Sequence, residues 1–142
     1  MTGGIALRRV YETPQPGDGL RILVDRLWPR GLRKSDSAVN LWLREIAPSH
    51  ELRRWFGHDP ARWTEFRARY RDELARQPER LRELMEHCRR RPVTLLYAAR
   101  DDTYNHAVVL REVLLEELAE EARPNDPASP VCYLDPEDSP GT

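Results

Sequence analysis

Cysteine is scarce in this sequence. Its two cysteines, Cys88 and Cys132, stand far apart, with no CxxC spacing and no metal-ligand companions beside them. That excludes the disulfide framework of a small secreted domain and a structural zinc site of ordinary spacing, so neither a metal nor a cofactor is expected. Lysine is nearly missing as well: of 23 basic residues only Lys34 is a lysine, so the positive charge is arginine charge. Long apolar runs are lacking too. The longest, Val93 to Ala99, has seven residues, whereas a membrane span needs about 20. The stretch Met1 to Arg9 contains no apolar core of a signal peptide, and the expectation is a soluble cytoplasmic protein with no membrane partner. Internal repeats are also absent.

What remains is a chain of 142 residues, 39% hydrophobic and 33% charged, a composition able to pack one core and of the size of one domain. The net charge of −1 is unevenly laid out. Residues 123–142 hold one arginine against four acids together with five of the twelve prolines, leaving residues 1–122 at +2. Residues 1–122 therefore read as a single α/β domain and 123–142 as an acidic, proline-rich tail, mostly irregular. Val131 to Leu134 is the one tail segment apolar enough for a short edge strand.

Punctuation and period divide the body. Ile5 to Tyr11 and Leu20 to Asp25 read as strands separated by a turn-rich Pro/Gly segment. Ser35 or Asp36 can cap a helix carrying Val39, Trp42, Leu43 and Ile46, with Pro48 at its end. Ser49 opens a shorter helix that Gly57 stops. Asp59-Pro60 opens another, with the core stripe Trp63, Phe66, Tyr70 and Leu74, and Gln77-Pro78 starts a third with Leu81, Leu84, Met85 and Cys88 inward. Val93 to Ala99 reads as a strand buried on both faces, and Asp101 or Asp102 as the cap of a last long helix. The sum is a small, mostly parallel sheet of three or four strands covered by helices in Rossmann-like layers. The first two strands are joined by a linker short for a parallel crossover, so antiparallel pairing is open there, whereas the second and the late buried strand should be parallel.

Ligands of such sheets bind beyond the carboxyl ends of the strands, and two unusual segments lie there. Asp25-Arg26-Leu27-Trp28-Pro29-Arg30-Gly31 joins an acid, two arginine forks and an indole on a constrained loop suited to clamping an anion. The alternative is that Asp25 and Arg26 pair with neighbours while Trp28 plugs the end of the sheet. The segment from Tyr97 through Arg100 to Asn105 and His106 runs from strand into helix, where free N–H groups favour anions and a neutral imidazole. There the alternative is plain capping, with His106 a packing or surface residue. Between the two, Trp55-Phe56-Gly57-His58-Asp59-Pro60 sets His58 in a tight gap among Arg53, Arg54 and Arg62.

These strings carry a resemblance. Asp25–Gly31, Leu43–Ser49, Trp55–Trp63, Tyr70–Leu74 and Val93–Leu110 together resemble the YeaO-like family of uncharacterised bacterial domains, domain of unknown function 488, over about residues 5–118. The resemblance implies a compact α/β fold and a bacterial cytoplasmic setting, and it lends no established reaction. A longer-chain branch of the wider family carries cysteines in the strand-to-helix segment ahead of a His-Arg pair. The matching places here resemble Tyr97 and Asn105, and Ala107 follows His106, so a thiol activity of that branch does not carry over.

The functional expectation is a small anionic or nucleotide-like ligand at the carboxyl edge of the sheet. Arg26, Trp28, Arg30, Arg54, Tyr97, Arg100, Asn105 and His106 are its candidate contacts. Asp25 and His58 are the candidate acid and base should the site run hydrolysis or group transfer. Two alternatives of other classes stand beside it. Residues 50–91 hold twelve arginines against eight acids, enough for a nucleic-acid-associated module, although the sequence pI of 6.4 and acid-first i,i+4 pairs argue against one. The other is an oligomeric or protein-interaction scaffold in which arginine-rich and glutamate-rich helices meet.

Overall fold

The computed structural model describes residues 4–35 and 38–123. The expected tail, with its Val131–Leu134 segment, lies outside the described residues, as does Asp36, one of the two expected caps.

Four strands, β1 (Ile5–Arg9), β2 (Leu20–Leu23), β3 (Leu41–Trp42) and β4 (Val93–Tyr97), form one all-parallel sheet in the order β1-β4-β2-β3. The expected parallel partnership of β2 with β4 is present. The antiparallel option for β1 and β2 is not: β4 lies between them and pairs both in parallel. Their connection does not have to make two neighbours face each other; it steps across the end of an intervening strand. Asp18 anchors that step. One carboxylate oxygen accepts from Gln15 N and from the Arg21 guanidinium, and the other from Arg8 Nε at 2.9 Å. Its carbonyl accepts from Thr94 Oγ1 on β4 at 2.7 Å.

Four helices follow the sequence punctuation closely: α1 (His50–Phe56), α2 (Trp63–Ala75), α3 (Pro78–Arg90) and α4 (His106–Glu121). Ser49 caps α1, and Gly57 ends it in the left-handed region at φ +52°. Asp59 caps a 3-10 turn, Pro60–Arg62, rather than α2 itself. Trp63, at the start of α2, is only half-buried, whereas Phe66, Tyr70 and Leu74 are in the core.

Two expectations fail for the same reason, a partner distant in sequence. The helix expected over Val39, Trp42, Leu43 and Ile46 is instead β3 and a 3-10 turn at Arg44–Ile46. The open edge of β2 supplies the alternative hydrogen bonds: Asn40 N donates to Arg21 O, Leu43 N to Leu23 O, and Arg21 N to the Asn40 side chain. Along this strand Leu41 and Leu43 pack under the helices and Trp42 on the opposite face, the two-residue alternation of a strand. At α4 the cap is Asn105, whose side chain accepts from Val108 N, not Asp101 or Asp102. The Asp101 carboxylate accepts from Thr103 N and Tyr104 N, closing the turn ahead of the helix.

The two faces of the sheet are covered differently. Ile22, Val24, Val93, Leu95 and Tyr97 join the main core with α1 to α4, while Val10, Leu23 and Leu96 face a smaller cluster closed by Trp28, Leu32, Val39 and Trp42. Helices therefore cover one face, and the segment between β2 and β3 covers the other. β4 is buried along its whole length, as its sequence requires.

Candidate functional site

All four strands point the same way, so the loops after β2 and β4 and the start of α4 gather at one edge, beneath the end of α1. There they enclose a cleft of about 470 Å³ lined by Asp25, Arg53, Arg54, His58, Asn105 and His106 over an apolar wall that includes Phe56 and Phe66. His50, Pro48, Ala98 and Ala99 complete the lining.

At its floor lies an acid and an imidazole. Asp25 follows β2 by two residues; its Oδ2 accepts from Ala98 N at 3.0 Å, which ties the loop after β2 to the end of β4. Its Oδ1 lies 3.1 Å from His106 Nε2, and the two side chains are 16% and 13% exposed. The same Nε2 is 2.9 Å from Val24 O. A carbonyl oxygen can only accept, so Nε2 carries the proton. Asp25 Oδ1 is buried without a hydrogen bond of good geometry, because that proton is directed at Val24 O. The Tyr70 ring stands edge-on to His106 at 6.2 Å, and its hydroxyl donates to Ile46 O at 2.8 Å. Burial pushes the Tyr70 phenol well above its usual range, so it remains a neutral donor.

The rim is basic. His50 Nε2 lies 2.8 Å from Arg54 Nη2, one helical turn on; a guanidinium only donates, so His50 is the acceptor and holds Arg54 in place. Among the described residues the Arg53 guanidinium has no ion-pair or hydrogen-bond partner. His58 has φ +58°, a conformation uncommon for a residue with a side chain, directly after left-handed Gly57. The Asp101 carboxyl is held below its usual range, mainly by the N–H groups of Tyr104 and Thr103, with a smaller contribution from His58.

Asp25, His58, Arg54, Asn105 and His106 are brought to one cleft, but the imidazole that meets Asp25 is that of His106, not His58. The other expected contacts have separate placements. Arg26 donates to Pro48 O at 3.1 Å and Ala47 O at 3.0 Å, fixing the approach to α1. Trp28 lies edge-on to Trp42 at 5.3 Å and donates to Leu32 O on the far face of the sheet. Arg30 offers its carbonyl to the Tyr11 hydroxyl, Tyr97 is buried at the end of β4, and Arg100 is exposed outside the lining. Arg53, His50, Phe56 and Phe66 were not among the expected contacts. The signal for the first two was present in the sequence, as basic groups on the short helix between Ser49 and Gly57; which side of that helix faces the sheet edge was not. Among the described residues, no group of three or more His, Cys, Asp or Glu is placed to hold a metal ion. No described helix is long and apolar enough to cross a membrane.

A family model described as the inactive DUF488-N3 subclade matches residues 4–134. The chain belongs to that subclade. It is 44% identical over 110 residues to the uncharacterized protein YeaO of Escherichia coli, covering 78% of this chain and 96% of YeaO. The same identity and length relate it to the uncharacterized protein Rv3073c of Mycobacterium tuberculosis, covering 92% of that relative. No solved structure gives a significant match.

Proposed function

We propose that the protein binds a small anionic ligand in the cleft at the carboxyl edge of its sheet, and that binding rather than turnover is its role. The observation that carries this reading is the convergence of Arg53, Arg54 and His58 on one concave site whose Arg53 guanidinium has no partner among the described residues. A guanidinium fork without a carboxylate is matched to an oxyanion. The location agrees with the general rule for open parallel sheets. The family description as inactive supports binding without turnover. A bacterial cytoplasmic setting fits the free, buried Cys88 thiol and the bacterial relatives.

The nucleic-acid and scaffold readings receive less support, since many helix arginines are already engaged within the chain. Arg67 bonds Glu112 at 2.8 Å, Arg89 grips Glu121 at 2.9 and 2.7 Å, and Arg62 and Arg69 lie over the Trp55 ring.

Isothermal titration with inorganic phosphate and with adenosine 5′-monophosphate tests the proposal. Arg53→Ala and Arg54→Ala should each weaken anion binding by roughly tenfold or more, the loss of a charge-assisted hydrogen bond. Arg67→Ala, whose side chain pairs with α4 away from the cleft, should leave it unchanged. Failure of every anion to bind, or equal affinity in all three variants, overturns the reading.

A further inference from the structure

Resting on that reading, we infer that the ligand is an organic phosphate whose body carries an N–H or O–H donor, and that His106 selects it by presenting Nδ1 as an acceptor at the cleft floor. Three observations lead there. The first is size: about 470 Å³ lies in the range of sites for whole organic ligands and far exceeds what one inorganic oxyanion fills. The second is polarity, because the cleft has two ends. The exposed Arg53 and Arg54 supply positive charge at the rim beside His58, whereas Phe56, Phe66, Ala98 and Ala99 form an apolar wall with Asp25 and His106. An inorganic anion would use only the first end.

The third observation concerns the proton on His106. Nε2 is committed as a donor toward Val24 O, with the Asp25 carboxylate 3.1 Å away, and the tautomer that satisfies this contact has its lone pair on Nδ1. Among the described residues Nδ1 has no hydrogen-bond partner. Val24 O thus fixes the ring and its tautomer, with the Asp25 carboxylate, anchored by Ala98 N, close beside it. The Asn105 side chain, the other polar group at the floor, is already used twice, accepting from Val108 N and donating to Asp101 O. Two acceptors are left for a ligand donor at the floor, His106 Nδ1 and the unpartnered Asp25 Oδ1. A site with a fixed acceptor discriminates strongly against a ligand that leaves it unpaired.

The test uses the full chain. Inorganic phosphate, ribose 5-phosphate and adenosine 5′-monophosphate are titrated calorimetrically, while nitrogen-15 NMR follows the two ring nitrogens of His106. The expected results are a protonated Nε2 and bare Nδ1 in the free protein, and organic phosphates bound roughly tenfold or more tightly than inorganic phosphate. The Nδ1 resonance should shift on saturation with an organic phosphate and not with the inorganic one. His106→Phe should bring the affinities for organic and inorganic phosphate together while phosphate binding persists; the NMR readout stands even where that variant folds poorly. Inorganic phosphate binding as tightly as the organic probes, with Nδ1 unmoved, overturns this inference and leaves the anion cleft standing. A proton found on Nδ1 in the free protein also overturns it. Absence of binding by all three probes overturns the anion reading itself, and this inference with it.

Discussion

Gly19 sits where β2 begins, with φ +66°, and a Cβ built there would lie 2.1 Å from the carbonyl oxygen of Pro92. Both the backbone conformation and the neighbouring backbone exclude a side chain. The contact is needed because Leu20 N donates to Pro92 O at 2.9 Å, the bond that starts the pairing of β2 with β4. Gly19→Ala should therefore cost about 3 kcal/mol or more, read as a fall in the denaturant midpoint. A loss under about 1 kcal/mol would mean that the crossing of β4 is less tightly built than this geometry requires. Its neighbour Asp18 makes stability depend on pH. The Gln15 N–H, and after it the Arg21 and Arg8 guanidiniums, hold its carboxyl below the usual value, against the opposing effect of burial. A depressed folded-state value means that the stabilisation is complete above the unfolded value, about 3.9, and is lost as pH falls through the lower folded one. Asp18→Asn should consequently lower the melting temperature at pH 7, and the gap to the parent should narrow below about pH 4. A gap that is constant with pH would remove charge from the account.

At the scale of the element, caps divide what is local from what is not. Ser49 caps α1 through Leu52 N, and Glu73 of α2 holds it in turn, accepting from Ser49 N at 2.8 Å and Ser49 Oγ at 2.6 Å. The cap was legible because serine before a periodic stretch and glycine after it are local signals. At α4 the local signals point to Asp101 or Asp102 as the cap, whereas the cap is Asn105. The turn closed by Asp101 takes up the two aspartates, and the Asn105 side chain reaches Val108 N at 3.1 Å. Asn105→Ala should cost about 1 kcal/mol or more, since it also frees Asp101 O, while Asp102→Ala should stay within about 0.5 kcal/mol. Equal losses in thermal melts would return the cap to the aspartates. The same contrast explains β3. Val39, Trp42, Leu43 and Ile46 have helical spacing, but a chain beside the open edge of β2 gains interstrand hydrogen bonds that no count of spacing includes.

At the scale of the molecule, three of the 22 arginines tie helices together. Arg67 and Arg71 of α2 and Arg89 of α3 meet Glu112, Glu116 and Glu121 of α4. The glutamate-rich and arginine-rich helices that would join subunits in a scaffold are joined within one chain. Exposed pairs of this kind add little to stability, so the array fixes helix placement more than it stabilises the fold. With those charges engaged, the protein should not retard a DNA or RNA duplex in a gel at 0.1 M salt. A retarded band that fades linearly with the logarithm of salt would restore the nucleic-acid reading. The core makes a chemical prediction as well. Burial pushes the Cys88 thiol up to about 11, so it should resist maleimide in the native protein at pH 7.5 and react on unfolding. Rapid native labelling of Cys88 would contradict its complete burial on the inner side of α3.

The sequence by itself determined the pieces whose signals are local. These are α1 between Ser49 and Gly57, α3 from the proline at its start, the doubly buried β4, and the gathering of Asp25, Arg54, His58, Asn105 and His106 near strand ends. Each follows from caps, breakers or apolar runs within a few residues, where backbone sterics and side-chain hydrogen bonds act. Only the tertiary structure decided that β4 inserts between β1 and β2, that residues 41–42 pair as a strand, and that Asp25 meets the imidazole 81 positions away rather than that of His58. It also decided that Arg26 and Trp28 brace the frame while Arg53 lines the cleft. Those outcomes depend on which distant groups compete for the same hydrogen bonds and the same buried surface, a competition settled in space and not along the chain.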